Sequence, residues 1–148
     1  VKCLRPDICA LKAAAFQEYN NKFLSSAQER LEKFQAVFEQ NMNALVKSNH
    51  GDRRQIERSF SNRHIREAVL YGWAISTGYD KATKWGSITI MYNIKVAPRV
   101  FRPVHVVCGF NDRNPNLWTV ITAYDPRTHE YKWANGYTQR ICFCEVTE

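Results

Sequence analysis

Between Ala10 and Lys47 the apolar residues Phe16, Tyr19, Phe23, Ala27, Leu31, Phe34, Phe38, Met42 and Leu45 recur at intervals of three and four, the period of one helix face. No Gly or Pro interrupts them. One helix over these positions would run about 57 Å at 1.5 Å per residue, long for a chain of 148 residues, so a break is expected near residues 20–26. Asn20 and Asn21 are weak helix formers, and Ser26 with Glu29 three positions on reads as a capping box. The expectation is a helical hairpin whose aromatic stripe packs on a sheet.

The polar stretch KSNHGDRRQ, residues 47–55, reads as a turn. After it, Ser61 or Asn62 can cap a short helix that runs through Tyr71 and ends at Gly72. Ile65, Ala68 and Val69 form its apolar face, and Arg53, Arg54, Arg58, Arg63 and Arg66 outnumber Glu57 and Glu67 around it. Beyond Gly78 the pattern changes to alternation. Ile88, Ile90, Tyr92 and Ile94 share one strand face, and Val104, Val106 and Cys108 share another with His105 opposite. Trp118, Val120, Thr122 and Tyr124 form a third set, and a further strand is expected at Tyr131–Trp133 or Gln139–Cys144. Gly109–Pro115 and Asp125–His129 carry hairpin chemistry. Helices followed by a meander give an α+β class. The expected architecture is one domain over residues 1–148, with a helical part (1–72) packed on a four- or five-stranded antiparallel sheet (73–148).

The composition agrees with a compact fold, since 8 Phe, 7 Tyr and 4 Trp supply large surfaces to bury. No run approaches the roughly 20 apolar residues that span a bilayer, and VKCLRPDICALK lacks the basic start and apolar stretch of a signal peptide, so no membrane partner is expected. A mature domain carries no trace of an export signal, which leaves localisation open. Charge changes the picture more. Lys and Arg number 21 against 14 acids, a net +7 that favours polyanionic partners, nucleic acid first among them.

Cys3, Cys9, Cys108, Cys142 and Cys144 make an odd count in a chain large enough to fold without disulfides. If the two ends meet, four thiolates could close a zinc site. Neither terminal pair has the usual two to four intervening residues, however. A Cys3–Cys9 disulfide or plain buried thiols are expected instead, and no metal or other cofactor is assigned.

The sequence contains no HExxH, GxxxxGK[ST], GxSxG or GxGxxG, which removes the motifs of metalloproteases, P-loop enzymes, α/β-hydrolases and dinucleotide enzymes. What remains is His, Arg, Thr and Tyr without clustered carboxylates. That inventory suits metal-independent RNA cleavage, in which a base takes the ribose 2′-hydroxyl proton, an acid protonates the leaving 5′-oxygen and cations stabilise the phosphorane. Imidazole suits the proton transfers and guanidinium the phosphate.

Two stretches, FSNRHIREAVLYGWAI (60–75) and RPVHVVCGFNDRNPNLWTVITAYDP (102–126), resemble small bacterial toxin domains of the barnase, EndoU, colicin and RelE superfamily of ribonucleases. The resemblance covers roughly residues 58–133. It implies an endoribonuclease toxin, with tRNA among its candidate substrates, that makes a 2′,3′-cyclic phosphate. It also implies action in the cytoplasm, either as a delivered effector or as a cytosolic toxin, and neutralisation by an acidic immunity or antitoxin protein. The catalytic candidates are His64, Arg66, Thr122, Tyr124 and His105, and the RNA-binding candidates are Arg63, Arg58, Arg102 and Trp133. Each has a structural reading beside it: His64 as an exposed or capping residue, Thr122 and Tyr124 as sheet packing, and, favoured over the functional one, His105 as a satisfied structural histidine and Trp73 and Trp133 as buried rings; His50 and His129 lie in polar turns and are expected to be solvated. A monomer is expected. The competing readings are a non-catalytic nucleic-acid-binding module using the same cations, and a zinc-binding interaction domain.

Overall fold

The computed structural model describes residues 2–47 and 60–144. Helix α1 spans Pro6–Gln40 and is followed by a 3₁₀ turn, Met42–Ala44, and the short strand β1, Leu45–Lys47. Helix α2, Asn62–Tyr71, leads into four strands, β2 (Trp73–Tyr79), β3 (Trp85–Ala97), β4 (Val100–Asn111) and β5 (Asn114–Tyr124). A 3₁₀ segment, Pro126–Lys132, and a ribbon of β6 (Trp133–Ala134) with β7 (Gln139–Arg140) complete the described chain. The main sheet has the order β1-β5-β4-β3-β2. The architecture is α+β, helices on a sheet, as the pattern predicts.

Three details differ from expectation. There is no helical hairpin, because α1 is continuous for 35 residues, about 52 Å at the standard rise. The side chains that suggested a break are occupied elsewhere. Buried Asn20 accepts a hydrogen bond from the Thr77 backbone N–H at Oδ1 (3.2 Å), and Asn21 accepts one from Gln17 one turn earlier (2.9 Å). The sheet is also mixed, since β1 runs parallel to β5 with Leu45 opposite Trp118. The C-terminal strand candidates pair only with each other, Trp133 opposite Arg140, and Asp125–His129 opens the 3₁₀ segment rather than a hairpin.

The core lies between the helices and one sheet face. Ala27, Leu31, Phe34 and Phe38 of α1 and Ile65, Ala68 and Val69 of α2 meet Ile88, Ile90, Val104, Val106, Phe110, Trp118 and Val120. Phe34 stacks on Trp118 at 4.3 Å between centroids, and Phe110 stacks on Trp118 at 5.1 Å. Edge strand β2 is not left bare, because α1 supplies polar partners along it. Gln28 accepts from the Ala74 N–H (2.8 Å) and Asn20 from that of Thr77, which blunts an edge that would otherwise recruit another strand. The opposite edge, β1, has three residues. Among the described residues no helix is long and apolar enough to cross a membrane.

Helix α2 forms as its local signals predict. The Ser61 hydroxyl accepts the His64 N–H (3.1 Å) and Gly72 ends the helix, its N–H on the Ala68 carbonyl (2.8 Å). Glycine is needed there for space, since a Cβ would lie 2.4 Å from the Ala68 oxygen, 2.5 Å from the Ile90 Cγ2 and 2.7 Å from the Met91 oxygen. Gly72→Ala is therefore expected to destabilise the fold by roughly 1–3 kcal/mol, the usual range for overpacking. A urea midpoint unchanged from the parent would show that the helix and strand can separate without cost.

Candidate active site

The site is created by a register shift in β5. Cys108 pairs with Val120 and the next residue back, Val107, pairs with Thr122, so Ile121 is an extra residue, a β-bulge. A bulge reverses the alternation beyond it. Trp118 and Val120 point into the core, whereas Thr122 and Tyr124 join Val107 and His105 on the other sheet face, and buried Ala123 takes the core side. The expectation that Trp118, Val120, Thr122 and Tyr124 share one face is corrected by this single residue.

His105 is fully buried on that second face. Its Nδ1 lies 3.3 Å from the Tyr124 hydroxyl, and the Trp133 ring closes over it edge-on at 4.5 Å. The Nε2 atom has no hydrogen-bond partner among the described residues, so His105 is only half satisfied. Burial pushes its imidazole down to about 4, against the smaller opposing pulls of the Tyr137 backbone and the Asp125 carboxylate. Burial likewise pushes the Tyr124 hydroxyl up to about 12, although Arg140 opposes it. Tyr124 thus stays protonated and able to donate.

Beyond Tyr124 the chain turns on Asp125, whose Oδ1 accepts the Arg127 N–H (2.9 Å). Its Oδ2 receives Arg127 Nη2 (2.8 Å) and Arg102 Nε (3.1 Å), and the Arg102 guanidinium lies 4.2 Å from the centre of the Phe60 ring. Burial raises the Asp125 carboxyl, but the hydrogen bonds and charge of Arg127 and Arg102 prevail and hold it below its usual range. A cavity of about 470 Å³ opens here, lined by Arg102, Thr122, Tyr124 and Trp133 together with Asp125, His129, Lys132 and Arg140. The cavity wall thus holds three cations, Arg102, Lys132 and Arg140, and one carboxylate, which Arg102 and Arg127 occupy.

The structure therefore gathers five sequence-predicted residues, Arg102, Thr122, Tyr124 and Trp133 around the cavity and His105 behind it. It does not bring His64, Arg63 and Arg66 to them. Those residues are on α2, which packs on the sheet face carrying Val104 and Val106; His105 points from the opposite face, whereas Arg102 shares the α2 face and lies over Phe60 just before that helix, and the cavity wall ends at Arg102 without reaching the three α2 residues. Arg63 and Arg66 are exposed and His64 is half-buried. Arg58 lies outside the described residues, as do His50, Arg53 and Arg54. Lys132 and Arg140 were not singled out by pattern; their only sequence cue is position near Trp133 and the TAYDP stretch. His129, expected to be solvated, forms part of the cavity wall.

A second cluster lies apart from the cavity. Cys3, Cys9, Cys142 and Cys144 place all four Sγ atoms within 4.8 Å of one another, and every cysteine is a free thiol. Of the two expected states, a Cys3–Cys9 disulfide and plain buried thiols, the structure has the thiols, and it gathers Cys3 and Cys9 with Cys142 and Cys144 at one point.

A family model described as a domain of unknown function (DUF4258) matches residues 48–125, and the chain belongs to that family. The matched span holds α2 and β2–β5 with Arg102, His105, Thr122, Tyr124 and Asp125; His129, Lys132, Trp133, Arg140 and the four clustered cysteines fall outside it. No curated protein and no solved structure matches the chain.

The buried imidazole makes stability depend on pH. Between about 6.5 and about 4 the unfolded chain binds a proton at His105 that the folded chain excludes, so stability falls as pH is lowered through that window. The full effect is about 3 kcal/mol by linkage. His105→Gln removes the titration, and its urea midpoint should fall less than the parent's between neutral pH and pH 4. Equal losses in both proteins would show that His105 is not held neutral by the fold.

Proposed function

We propose that this member of the DUF4258 family is an endoribonuclease that cuts RNA without a metal ion. The observation that carries the reading is the cavity in which Arg102, Lys132 and Arg140 surround Thr122, Tyr124, Trp133 and His129. Among the described residues its one carboxylate, Asp125, is taken by Arg102 and Arg127, which leaves no pair of acids to hold magnesium. The ribose 2′-oxygen attacks the adjacent phosphorus and the P–O5′ bond breaks. The 2′-hydroxyl proton goes to a base, the leaving 5′-oxygen takes a proton from an acid, and the product is a 2′,3′-cyclic phosphate.

His129 is the imidazole that lines the cavity and is suited to the proton transfers. Tyr124, oriented through its hydrogen bond to His105, donates to a non-bridging phosphate oxygen, and the three cations stabilise the charge that grows on the phosphorane. Trp133 offers a ring on which a base can stack. His105 is a positioning residue in this scheme, since Trp133 and the sheet exclude substrate from it. Where such an enzyme meets its maker's own RNA it needs an inhibitor, and an acidic protein covering the cavity fits the charge.

RNA and DNA of one sequence, incubated without added magnesium, test the reading. RNA should be cut to ends bearing a 2′,3′-cyclic phosphate and DNA left intact. His129→Ala should lower the rate about 10²- to 10⁴-fold with little change in thermal stability; Tyr124→Phe should lower the rate of the folded protein as much and also cost about 1–3 kcal/mol, because it leaves buried His105 without its hydroxyl partner; His64→Ala should cut at the parental rate. Binding of RNA without cleavage would reduce the protein to a nucleic-acid-binding module, and a loss confined to His64→Ala would move the active centre to α2.

A further inference from the structure

We propose that Cys3, Cys9, Cys142 and Cys144 bind one zinc ion as a tetrathiolate that fastens the C-terminal segment to the first turn of α1. The sulfur spacing fits an ion at their centre. Tetrahedral zinc with Zn–S bonds of about 2.3 Å separates its sulfurs by about 3.8 Å, and the Cys9–Cys144 and Cys3–Cys144 distances are 3.7 and 3.9 Å. A disulfide would need about 2.05 Å.

The backbone explains how an unusual spacing makes a site. Cys142 and Cys144 are alternate residues in a non-helical stretch, which lets both side chains face the same way. Cys9 lies in the first turn of α1, its N–H on the Arg5 carbonyl (2.9 Å), and Cys3 precedes the helix. The criterion of two to four intervening residues describes ligands that share one loop, whereas here the two pairs come from different elements. Cys9, Cys142 and Cys144 are buried and Cys3 half-buried, so the centre is shielded on most sides and reachable past Cys3.

The surroundings suit thiolate. The Phe143 N–H donates to the Cys9 sulfur at 3.3 Å, a bond that gains strength when the sulfur carries charge. Arg140 is held close by, its Nε on the Cys142 carbonyl (3.0 Å) and its guanidinium 4.6 Å from the centre of the Phe143 ring, and its charge offsets part of the net −2 of a zinc tetrathiolate. Four soft sulfur donors select zinc over magnesium or calcium. On binding, four S–H bonds are exchanged for four Zn–S bonds and up to four protons leave.

The site has work to do in the fold. The front half of α1 buries only Cys9 and Asn20, and β6 and β7 are not hydrogen-bonded into the main sheet. Arg140 and Trp133, which wall the cavity, belong to that ribbon, so the ion holds the cavity's outer wall in place and Arg140 stands between the two sites.

Protein purified under reducing conditions without chelator and analysed for metals should contain one zinc per chain. Replacing zinc by cobalt(II) should give the visible absorption of a tetrahedral thiolate complex. Cys142→Ser combined with Cys144→Ser should lose the metal, and Cys108→Ala, whose thiol lies in the core outside the cluster, should keep it. Metal-free protein with intact thiols, a disulfide among the four, an iron–sulfur chromophore, or full zinc retention in the double variant would overturn the proposal. The parent's metal content and cobalt spectrum decide it even if the double variant fails to fold, and neither depends on whether RNA is cut.

Discussion

One extra residue in β5 divides this molecule into a core and a site. Up to Val120 the strand feeds Trp118 and Val120 into the layer shared with Phe34 and Phe110; after Ile121 it feeds Thr122 and Tyr124 to the far face, where His105 lies. Without the bulge, the Thr122 and Tyr124 hydroxyls would be driven under the helices, where burial without partners is costly. The same shift delivers Asp125 to the point where Arg102 and Arg127 meet it. The basic cavity is thus a consequence of strand register.

Helix α1 gains its length from serving two regions. Its back half is ordinary amphipathic packing, with Ala27, Leu31, Phe34 and Phe38 against the sheet. Its middle is polar in sequence but engaged in structure, since Asn20, Gln28 and Gln35 bond to backbone groups of β2, of α2 and of the junction between them. Its front half presents Cys9 to the C-terminal cysteines and Phe16 to Phe143, 5.5 Å away between ring centroids. A helix that only covered the sheet could begin near Asn20.

What was legible in the sequence was local. The Ser61 cap, the Gly72 stop and the alternation of β3 and β4 all depend on neighbours within a few residues, and each stands in the structure where its pattern puts it. Arg102, Thr122, Tyr124 and Trp133 were legible as chemistry, though not as a set. What was hidden depends on distant partners. Asn20 and Asn21 read as a break because a buried acceptor for Thr77 cannot be seen from helix propensity. Three residues of β1 carry too little pattern to announce a parallel pairing, and straight alternation through Ile121 put Thr122 and Tyr124 on the wrong face. The meeting of four cysteines required the path of both α1 and the last described segment.

That meeting also sets an order of assembly. The β3–β4 and β4–β5 pairs close through two-residue turns, Pro98–Arg99 and Asp112–Arg113, so they form at small entropic expense. The Cys9 and Cys144 sulfurs are separated by 135 positions of chain, and closing a loop of that span is slower and costs more entropy. The outer wall of the cavity, carrying Trp133 and Arg140, thus hangs on a contact between the two far ends of the described chain, whereas the sheet beneath it is closed by neighbours.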